Sequence, residues 1–266
     1  MIAVPEVVIE RIAVATGTGE PLEALARKAA RKAAREIGPA NVGAVIAATF
    51  SNPQRFPALA IRLAAELGLP PETPAFDLQM ACSAYPYALY LAGKLARDTG
   101  KKVLVVDGDV QSRLVDVSDH ATGAIFSDAV TATLVSTGEG ESPFAFYSRA
   151  DESLVCGETG PIRMDGFKVF TFVATEVSKF LRAFGTDFDW FAPHQANPYM
   201  IRQLAKTLGL ADRLLTLDES LKNPGSCSVP MTLAAHADKL TGGRRVLVAG
   251  FGAGLSAAAG IVRVTL

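Results

Sequence analysis

Apolar positions recur along the chain at two spacings, and each spacing predicts one kind of element. A first helix with one buried face is predicted by apolar residues three or four positions apart, at Leu22, Leu25, Ala29, Ala33 and Ile37. Apolar residues at alternate positions predict a strand at 42–48. Similar patterns predict further helices at 58–69 and 83–97 and further strands at 75–81 and 102–106. This alternation predicts a layered α/β protein.

The first half of the chain has counterparts in the second half, in the same order. IRLAAELGL at 61–69 matches IRQLAKTLGL at 201–210, and GKKVLVV at 100–106 matches GRRVLVA at 243–249. Between these anchors each half has a strand, a turn of small residues and a helix that opens near a proline. We therefore interpret the chain as two related α/β halves, residues 1–150 and 151–266, packed about a pseudo-twofold axis.

Composition narrows the class of protein. Hydrophobic residues make up 49% and charged residues 20% of the 266 residues, which is typical of a well-buried globular protein. The formal net charge of -1 gives no reason to expect nucleic acid or a membrane as a partner. Glu6 and Glu10 interrupt the apolar start, which favours a strand over a signal peptide. Three cysteines are too few for a disulfide framework or a zinc site, so we expect a reduced, cytoplasmic protein.

Cys82 lies between the predicted strand AFDLQMA and the predicted helix SAYPYALYLAG. The positive end of the helix dipole and the free backbone N–H groups there would lower the thiol pKa from about 8.5. A small buried core cysteine is the more common alternative. This segment alone leaves both interpretations open.

His194 and Asn223 occupy comparable positions in the second half. His194 ends an apolar strand in WFAPHQAN, and Asn223 lies in LKNPGSC, the counterpart of the loop that bears Cys82. A histidine at a strand end is often structural, and Asn before Pro is in itself a turn signal. In such sheets, however, ligands bind at the carboxyl ends of the strands. Three such residues on equivalent loops predict one active site, with the cysteine from the first half.

Four segments, DLQMACSAYPYAL, APHQAN, KNPGSCSVPMTLA and AGFGAGLSAAAGIVRV, resemble the signature segments of β-ketoacyl-acyl-carrier-protein synthase III enzymes. The resemblance extends from about Val7 to Leu266. It implies the thiolase fold (five layers, α-β-α-β-α), a homodimer, and a catalytic triad of Cys82, His194 and Asn223. It also implies an acyltransferase: an acyl group passes to Cys82 and then condenses, with loss of CO₂, with a malonyl thioester to give a 3-oxoacyl product.

The resemblance assigns further site residues. The backbone N–H groups of Cys82 and Ala253 would form the oxyanion hole, although the family usually has Gly where Ala253 stands. Phe56 is expected either to cap the acyl pocket of a dimer partner or to pack in the core. The residues expected to bind substrate are Phe56, Asn197, Gly252 and Gly254. We expect no metal and no cofactor, because acyl-coenzyme A or acyl-carrier-protein thioesters would be the substrates.

The sequence departs from the family pattern in its binding residues. From the resemblance we expect that the aromatic contact to coenzyme A, which the family's N-terminal region supplies, is missing here. His120 replaces an Arg that contacts coenzyme A, and Tyr199 replaces an Arg involved in carrier-protein docking. These departures favour altered substrates. Two alternatives therefore stay open: an acyltransferase that does not decarboxylate, with His194 as general base, and a subunit of a heterodimeric synthase. A basic stripe on the first helix is interpreted as a solvated face rather than as a docking surface, at Arg27, Lys28, Arg31, Lys32 and Arg35.

Overall fold

The computed structural model describes residues 1–35, 37–116, 118–119, 122–157 and 160–266. In this part of the chain the strands are β1 (Ile2–Thr16), β2 (Val42–Ala48), β3 (Ala75–Leu78), β4 (Lys102–Asp109), β5 (Ala129–Ser148), β6 (Leu154–Val155), β7 (Arg163–Met164), β8 (Trp190–Pro193), β9 (Arg244–Gly252) and β10 (Ser256–Val264). The helices are α1 (Leu22–Ala34), α2 (Leu59–Glu66), α3 (Ala84–Thr99), α4 (Gly166–Phe172), α5 (Ser178–Arg182), α6 (Pro198–Leu208) and α7 (Ser228–Ala235). A π-helical turn at Val173–Val177 joins α4 to α5.

The two halves share one strand order. Eight strands of the described chain are hydrogen-bonded in the order β3-β2-β4-β5-β1-β10-β9-β8, with a further pairing of β5 with β10. The first half thus has the order β3-β2-β4-β5-β1. The second repeats it, because the end of β5 pairs with β10 and a bridge from Phe191 to Leu214 extends the sheet beyond β8. The matched segments fall in α2 and α6 and in β4 and β9, which confirms the predicted duplication.

Apolar side chains on both faces of these strands divide the molecule into five layers. Helices α1 and α2 cover one face of the first-half sheet, where Leu25 and Leu63 pack with Leu104. Helices α3 and α7 lie between the two halves, in one cluster with strand residues such as Val105 and Val248. Helices α4, α5 and α6 cover the outer face of β9 and β10. The predicted α-β-α-β-α architecture is confirmed.

The structure bears on other predictions to different degrees. The start of the chain forms strand β1, as expected. The boundary after residue 150 stays a prediction, because β5 pairs with strands of both halves. His120 lies outside the described residues. Within the described ranges, no helix combines the length and the apolar character that crossing a membrane requires.

Candidate active site

The nucleophile candidate Cys82 lies in a tight turn between β3 and α3. Ala81 adopts a left-handed backbone conformation with φ of 42°, and a 3-10 turn over Ala81–Ser83 leads into α3. Pro86 is tolerated in the first turn of the helix, where the missing N–H has no intrahelical partner. Cys82 is 8% exposed. The predicted position of the thiol directly before a buried helix is confirmed.

The loop between β9 and β10 passes directly over this thiol. A Cβ atom on Gly252 would lie 2.9 Å from Cys82 Cβ and 3.1 Å from its Sγ, and Gly252 has φ of 153°, so only glycine fits. Gly254 also requires glycine, with φ of 135°. Ala253 between them is not in the left-handed region, which explains why an alanine is accepted there. The loop is fastened by Ser256, whose Oγ lies 2.7 Å from Ser83 Oγ and donates to the Ala253 carbonyl at 2.7 Å.

The environment of the Cys82 thiol raises its pKa to about 11, and burial is the main cause. The carboxyl groups of Asp109 and Asp107 act in the same direction, whereas hydrogen bonds from the backbone of Ala253 and of Cys82 itself oppose it. The expectation of a lowered pKa was wrong, because the glycine loop and the second half enclose the thiol. The two backbone groups predicted as the oxyanion hole do converge on Sγ.

His194 follows β8 and is 1% exposed. Its backbone N–H donates to the Ala249 carbonyl at 2.7 Å, and its ring meets Phe251 edge-on with centroids 5.7 Å apart. Nδ1 lies 2.9 Å from Ser228 Oγ, which also accepts the Gln195 N–H at 3.0 Å. The backbone of Gly225 raises the imidazole pKa, as a carbonyl that accepts a ring N–H does; with Nδ1 at Ser228, that N–H is on Nε2.

Burial also determines the charge of His194. It lowers the imidazole pKa to about 4, partly offset by a hydrogen bond with the backbone of Gly225. The ring is therefore neutral at neutral pH. A neutral ring with Nδ1 facing Ser228 offers Nε2–H as a hydrogen-bond donor.

Asn223 is held by its side chain and its backbone. Its Oδ1 accepts the Gly225 N–H at 2.9 Å, which fixes the amide so that the NH₂ group is the part left to donate. Its backbone N–H donates to the Ile125 carbonyl, and its carbonyl accepts the Ser127 N–H, both at 3.0 Å. A parallel bridge from Asn223 to Phe126 results.

Buried polar groups at the end of β4 connect the loops of the two halves. Asp107 accepts a hydrogen bond from Ser226 Oγ, three residues after Asn223. Asp109 accepts hydrogen bonds from Thr49 Oγ1 at 2.7 Å and from two backbone N–H groups, and its Oδ2 lies 3.7 Å from the point where a Gly225 Cβ would be. Burial raises the pKa of both carboxyl groups. Both carboxyl groups also act on the Cys82 thiol, and the turn that contains Cys82 contacts the Gly225–Cys227 turn, so the loops of Cys82 and Asn223 lie together as the duplication predicts.

A cavity of about 1150 Å³ opens at Cys82. Ala253 and Gly254 line it at the thiol, whereas His194 and Asn223 are not among its lining residues. The remaining wall combines apolar side chains with charged ones. The apolar side chains include Leu22, Phe50, Met80, Val110, Leu114, Phe126, Leu154, Val155, Ile162 and Leu255, and the charged ones are Glu23, Arg55, Arg62, Arg113 and Arg149. Among the residues that the structure describes, no group of three or more His, Cys, Asp or Glu side chains could hold a metal ion.

The remaining predicted binding residues lie at the surface. Phe56 is 83% exposed, so the alternative that it packs in the core was wrong. Asn197 caps α6, since its Oδ1 accepts the N–H groups of Tyr199 at 2.9 Å and Met200 at 3.1 Å. Its role in substrate binding stays a prediction. The basic stripe on α1 is exposed at Lys28, Arg31, Lys32 and Arg35, as expected of a solvated face.

Sequence reasoning missed the side chains that support the three candidates. Asp107 and Asp109 did carry a signal, because two carboxylates end the otherwise apolar strand VLVVDGD. Gln111 and Ser228 carried none, since nothing local distinguishes a buried glutamine or serine that contacts a distant loop from a solvated one.

A buried thiol at the head of a central helix, in a duplicated five-layer sandwich, defines a thiolase-fold protein. Family models confirm this class: 3-oxoacyl-[acyl-carrier-protein] synthase III matches residues 76–151, and its C-terminal model matches residues 185–264. The β-ketoacyl-[acyl-carrier-protein] synthase III of Rhizorhabdus wittichii is 32% identical over 273 residues, covering 93% of this chain and 85% of the relative. The chain belongs to the β-ketoacyl-acyl-carrier-protein synthase III family.

Solved structures agree with this assignment. The 3-oxoacyl-(acyl-carrier-protein) synthase of Burkholderia xenovorans has a TM-score of 0.91 at 25% identity, and the match covers 99% of this chain and 95% of that one. A priming β-ketosynthase from a polyketide biosynthetic pathway has a TM-score of 0.85 at 26% identity, covering 94% and 83%.

Proposed function

We propose that this protein is a β-ketoacyl-acyl-carrier-protein synthase III-like condensing enzyme with Cys82, His194 and Asn223 as its catalytic triad. The observation that carries the proposal is a buried thiol under two backbone N–H groups, in one duplicated fold with two second-half side chains whose orientation is fixed by their neighbours. The names of the relatives support acyl carrier protein as a partner.

The first step transfers an acyl group to Cys82. The sulfur attacks the carbonyl carbon of an acyl thioester, and the C–S bond to the carrier breaks. The carrier thiol leaves with the proton of Cys82. The backbone N–H groups of Cys82 and Ala253 stabilise the tetrahedral oxyanion, a contribution of about 3 kcal/mol for each donor.

The second step condenses the acyl group with a malonyl thioester. The bond to the malonyl carboxylate breaks, CO₂ leaves, and the electron pair is held as an enolate. His194 Nε2–H and the Asn223 NH₂ group donate to the enolate oxygen, where charge develops. The enolate carbon then attacks the acyl carbonyl on Cys82, the C–S bond to Cys82 breaks, and the departing thiolate takes up a proton from solvent to restore the thiol.

Condensation is favoured over an acyl transfer without decarboxylation. Such a transfer would need His194 as a general base, with Nε2 free to accept a proton from the acceptor. The hydrogen bond between the ring and the backbone of Gly225, with Nδ1 at Ser228, instead favours a proton on Nε2, which makes that atom a donor. A heterodimeric synthase has no specific observation in its favour.

The proposal extends to the setting of the reaction. Acyl-coenzyme A or acyl-carrier-protein thioesters are the acyl donors, and the chemistry needs no further cofactor. We also propose a cytoplasmic homodimer, in which the exposed Phe56 would contact the second copy of the chain.

The test is intact-protein mass spectrometry after incubation with a panel of acyl-coenzyme A and acyl-carrier-protein donors, followed by addition of malonyl thioesters. We expect an acyl adduct on the wild type but not on Cys82→Ala, and CO₂ release when malonyl thioester is added. An adduct that reaches an amine or alcohol without CO₂ release would support the acyltransferase instead. Absence of an adduct with every donor would contradict the proposal.

A further inference from the structure

Gln111 connects the end of β4 to the Asn223 loop. It is 1% exposed and begins a 3-10 turn two residues after the strand. Its Nε2 donates to the Asn223 carbonyl at 3.2 Å and to the Ser127 carbonyl at 3.0 Å. One side-chain amide therefore uses both of its hydrogens on the two backbones that form the bridge beside Asn223.

The residues on either side of Asn223 in the chain add little to the hydrogen bonds that hold its backbone. Lys222 has φ of 56°, a strained conformation for a non-glycine residue, and Pro224 has no N–H to donate. Asn223 lies outside every helix and regular strand, and its bridge spans a single residue pair. The amide of Gln111 adds a second donor to its carbonyl and joins it to the 125–127 segment.

We propose that Gln111 is a positioning residue for Asn223, which fixes the NH₂ group of that side chain toward the malonyl carbonyl oxygen. The inference rests on the proposed function and adds a prediction of step selectivity. Asn223 acts only when the enolate forms, whereas the oxyanion donors at Cys82 come from Cys82 and Ala253. Loss of the Gln111 amide should therefore slow decarboxylation and leave acylation of Cys82 unchanged.

Two variants test this. Gln111→Leu removes both hydrogen bonds, and Gln111→Glu keeps the side-chain shape but replaces the NH₂ donor by an oxygen. Gln203→Leu is the control, because Gln203 is an exposed glutamine on α6 and is not among the residues that line the cavity. Thermal unfolding of each variant checks that it is folded.

The measurement is the rate of each half-reaction. Cys82 acylation by acetyl-coenzyme A is followed by intact mass, and CO₂ release from malonyl thioester is followed with the acylated enzyme. In Gln111→Leu we expect unchanged acylation and CO₂ release slower by about tenfold or more, since a misplacement of roughly 1 Å costs up to about 100-fold. Gln111→Glu should show the same split, more strongly as pH rises, because an ionised carboxylate repels the two carbonyl oxygens.

The outcomes separate the inference from the proposed function. If both variants slow acylation and CO₂ release equally, or leave CO₂ release at the rate of Gln203→Leu, the positioning role is wrong while the synthase remains. If the wild type neither accepts an acyl group nor releases CO₂, the proposed function fails, and the inference fails with it.

Discussion

At the residue scale, the reactivity of Cys82 depends on burial more than on its place before a helix. A pKa of about 11 leaves the thiol protonated at neutral pH, so the reactive thiolate fraction rises about tenfold per pH unit until the pH approaches that value. We expect the alkylation rate of Cys82 by iodoacetamide to climb without a plateau from about pH 7 to about pH 10. Peptide mapping distinguishes Cys82 from the exposed Cys156. A plateau at the value of an ordinary thiol, about 8.5, would contradict this environment.

The pKa of His194 is shifted downward rather than upward, and this shift makes the stability of the fold depend on pH. Its pKa is lowered from 6.5 to about 4 in the folded protein, so between these values the unfolded chain binds the proton and the folded one does not. The free energy of unfolding should therefore fall with decreasing pH across this window, by about 3 kcal/mol for this residue. Urea unfolding of the wild type and of His194→Asn checks this. We expect the difference between them to shrink as pH falls, and a constant difference would refute it.

At the element scale, the β9–β10 loop is shaped by its contact with the nucleophile. In Gly252→Ala, the new Cβ would press on Cys82 Cβ and Sγ, and φ of 153° is unfavourable for alanine. We expect a loss of about 1–3 kcal/mol in unfolding free energy and a slower acylation of Cys82. Gly242→Ala is the control, since Gly242 also has positive φ, of 76°, but nothing within 4 Å of the added Cβ. Equal acylation rates in the two variants would argue against a steric role of the loop.

Some helices, strands and turns can be predicted from the sequence better than others. The matched segments GKKVLVV and GRRVLVA predict β4 and β9, because a buried strand needs apolar residues on both faces and this local pattern survives in both halves. The turn that contains Cys82 was also predictable, because the spacing of apolar residues changes there from that of a strand to that of a helix. The glycine loop was harder to interpret. Its need for glycine comes from Cys82, 170 positions earlier in the chain, and no local spacing reveals such a contact.

At the scale of the whole molecule, the unpredicted features are the contacts between halves. The raised pKa of Cys82 follows from enclosure by β9 and from carboxyl groups on β4. Ser228 and Gln111 act on residues 34 and 112 positions away. Sequence patterns report which face of an element is buried, but not which element buries it. The triad candidates were found because duplication places their loops at one centre, whereas their supporting side chains do not follow the repeat.

The hydrogen bond from Ser226 to Asp107 joins the two halves at the site, and its contribution to stability can be measured. Both groups are buried, so removing the hydroxyl leaves a carboxyl oxygen without its partner. We expect Ser226→Ala to lower the unfolding free energy by about 1–3 kcal/mol. In an Asp107→Ala background the same change should cost less, giving a coupling of about 1 kcal/mol in a double-mutant cycle followed by urea unfolding.

Ser220→Ala serves as the control for this cycle, because its side chain is exposed on the same loop and should change stability by less than about 0.5 kcal/mol. Additive effects of the Ser226 and Asp107 substitutions would show that this hydrogen bond does not help to hold the two halves together at the site. A measurable coupling would instead show that the hydrogen bond between Ser226 and Asp107 helps to hold the Asn223 loop against β4. Gln111 and Asp107 would then stabilise the Asn223 loop independently of each other. Combining Gln111→Leu with Ser226→Ala should therefore slow CO₂ release more than either change alone.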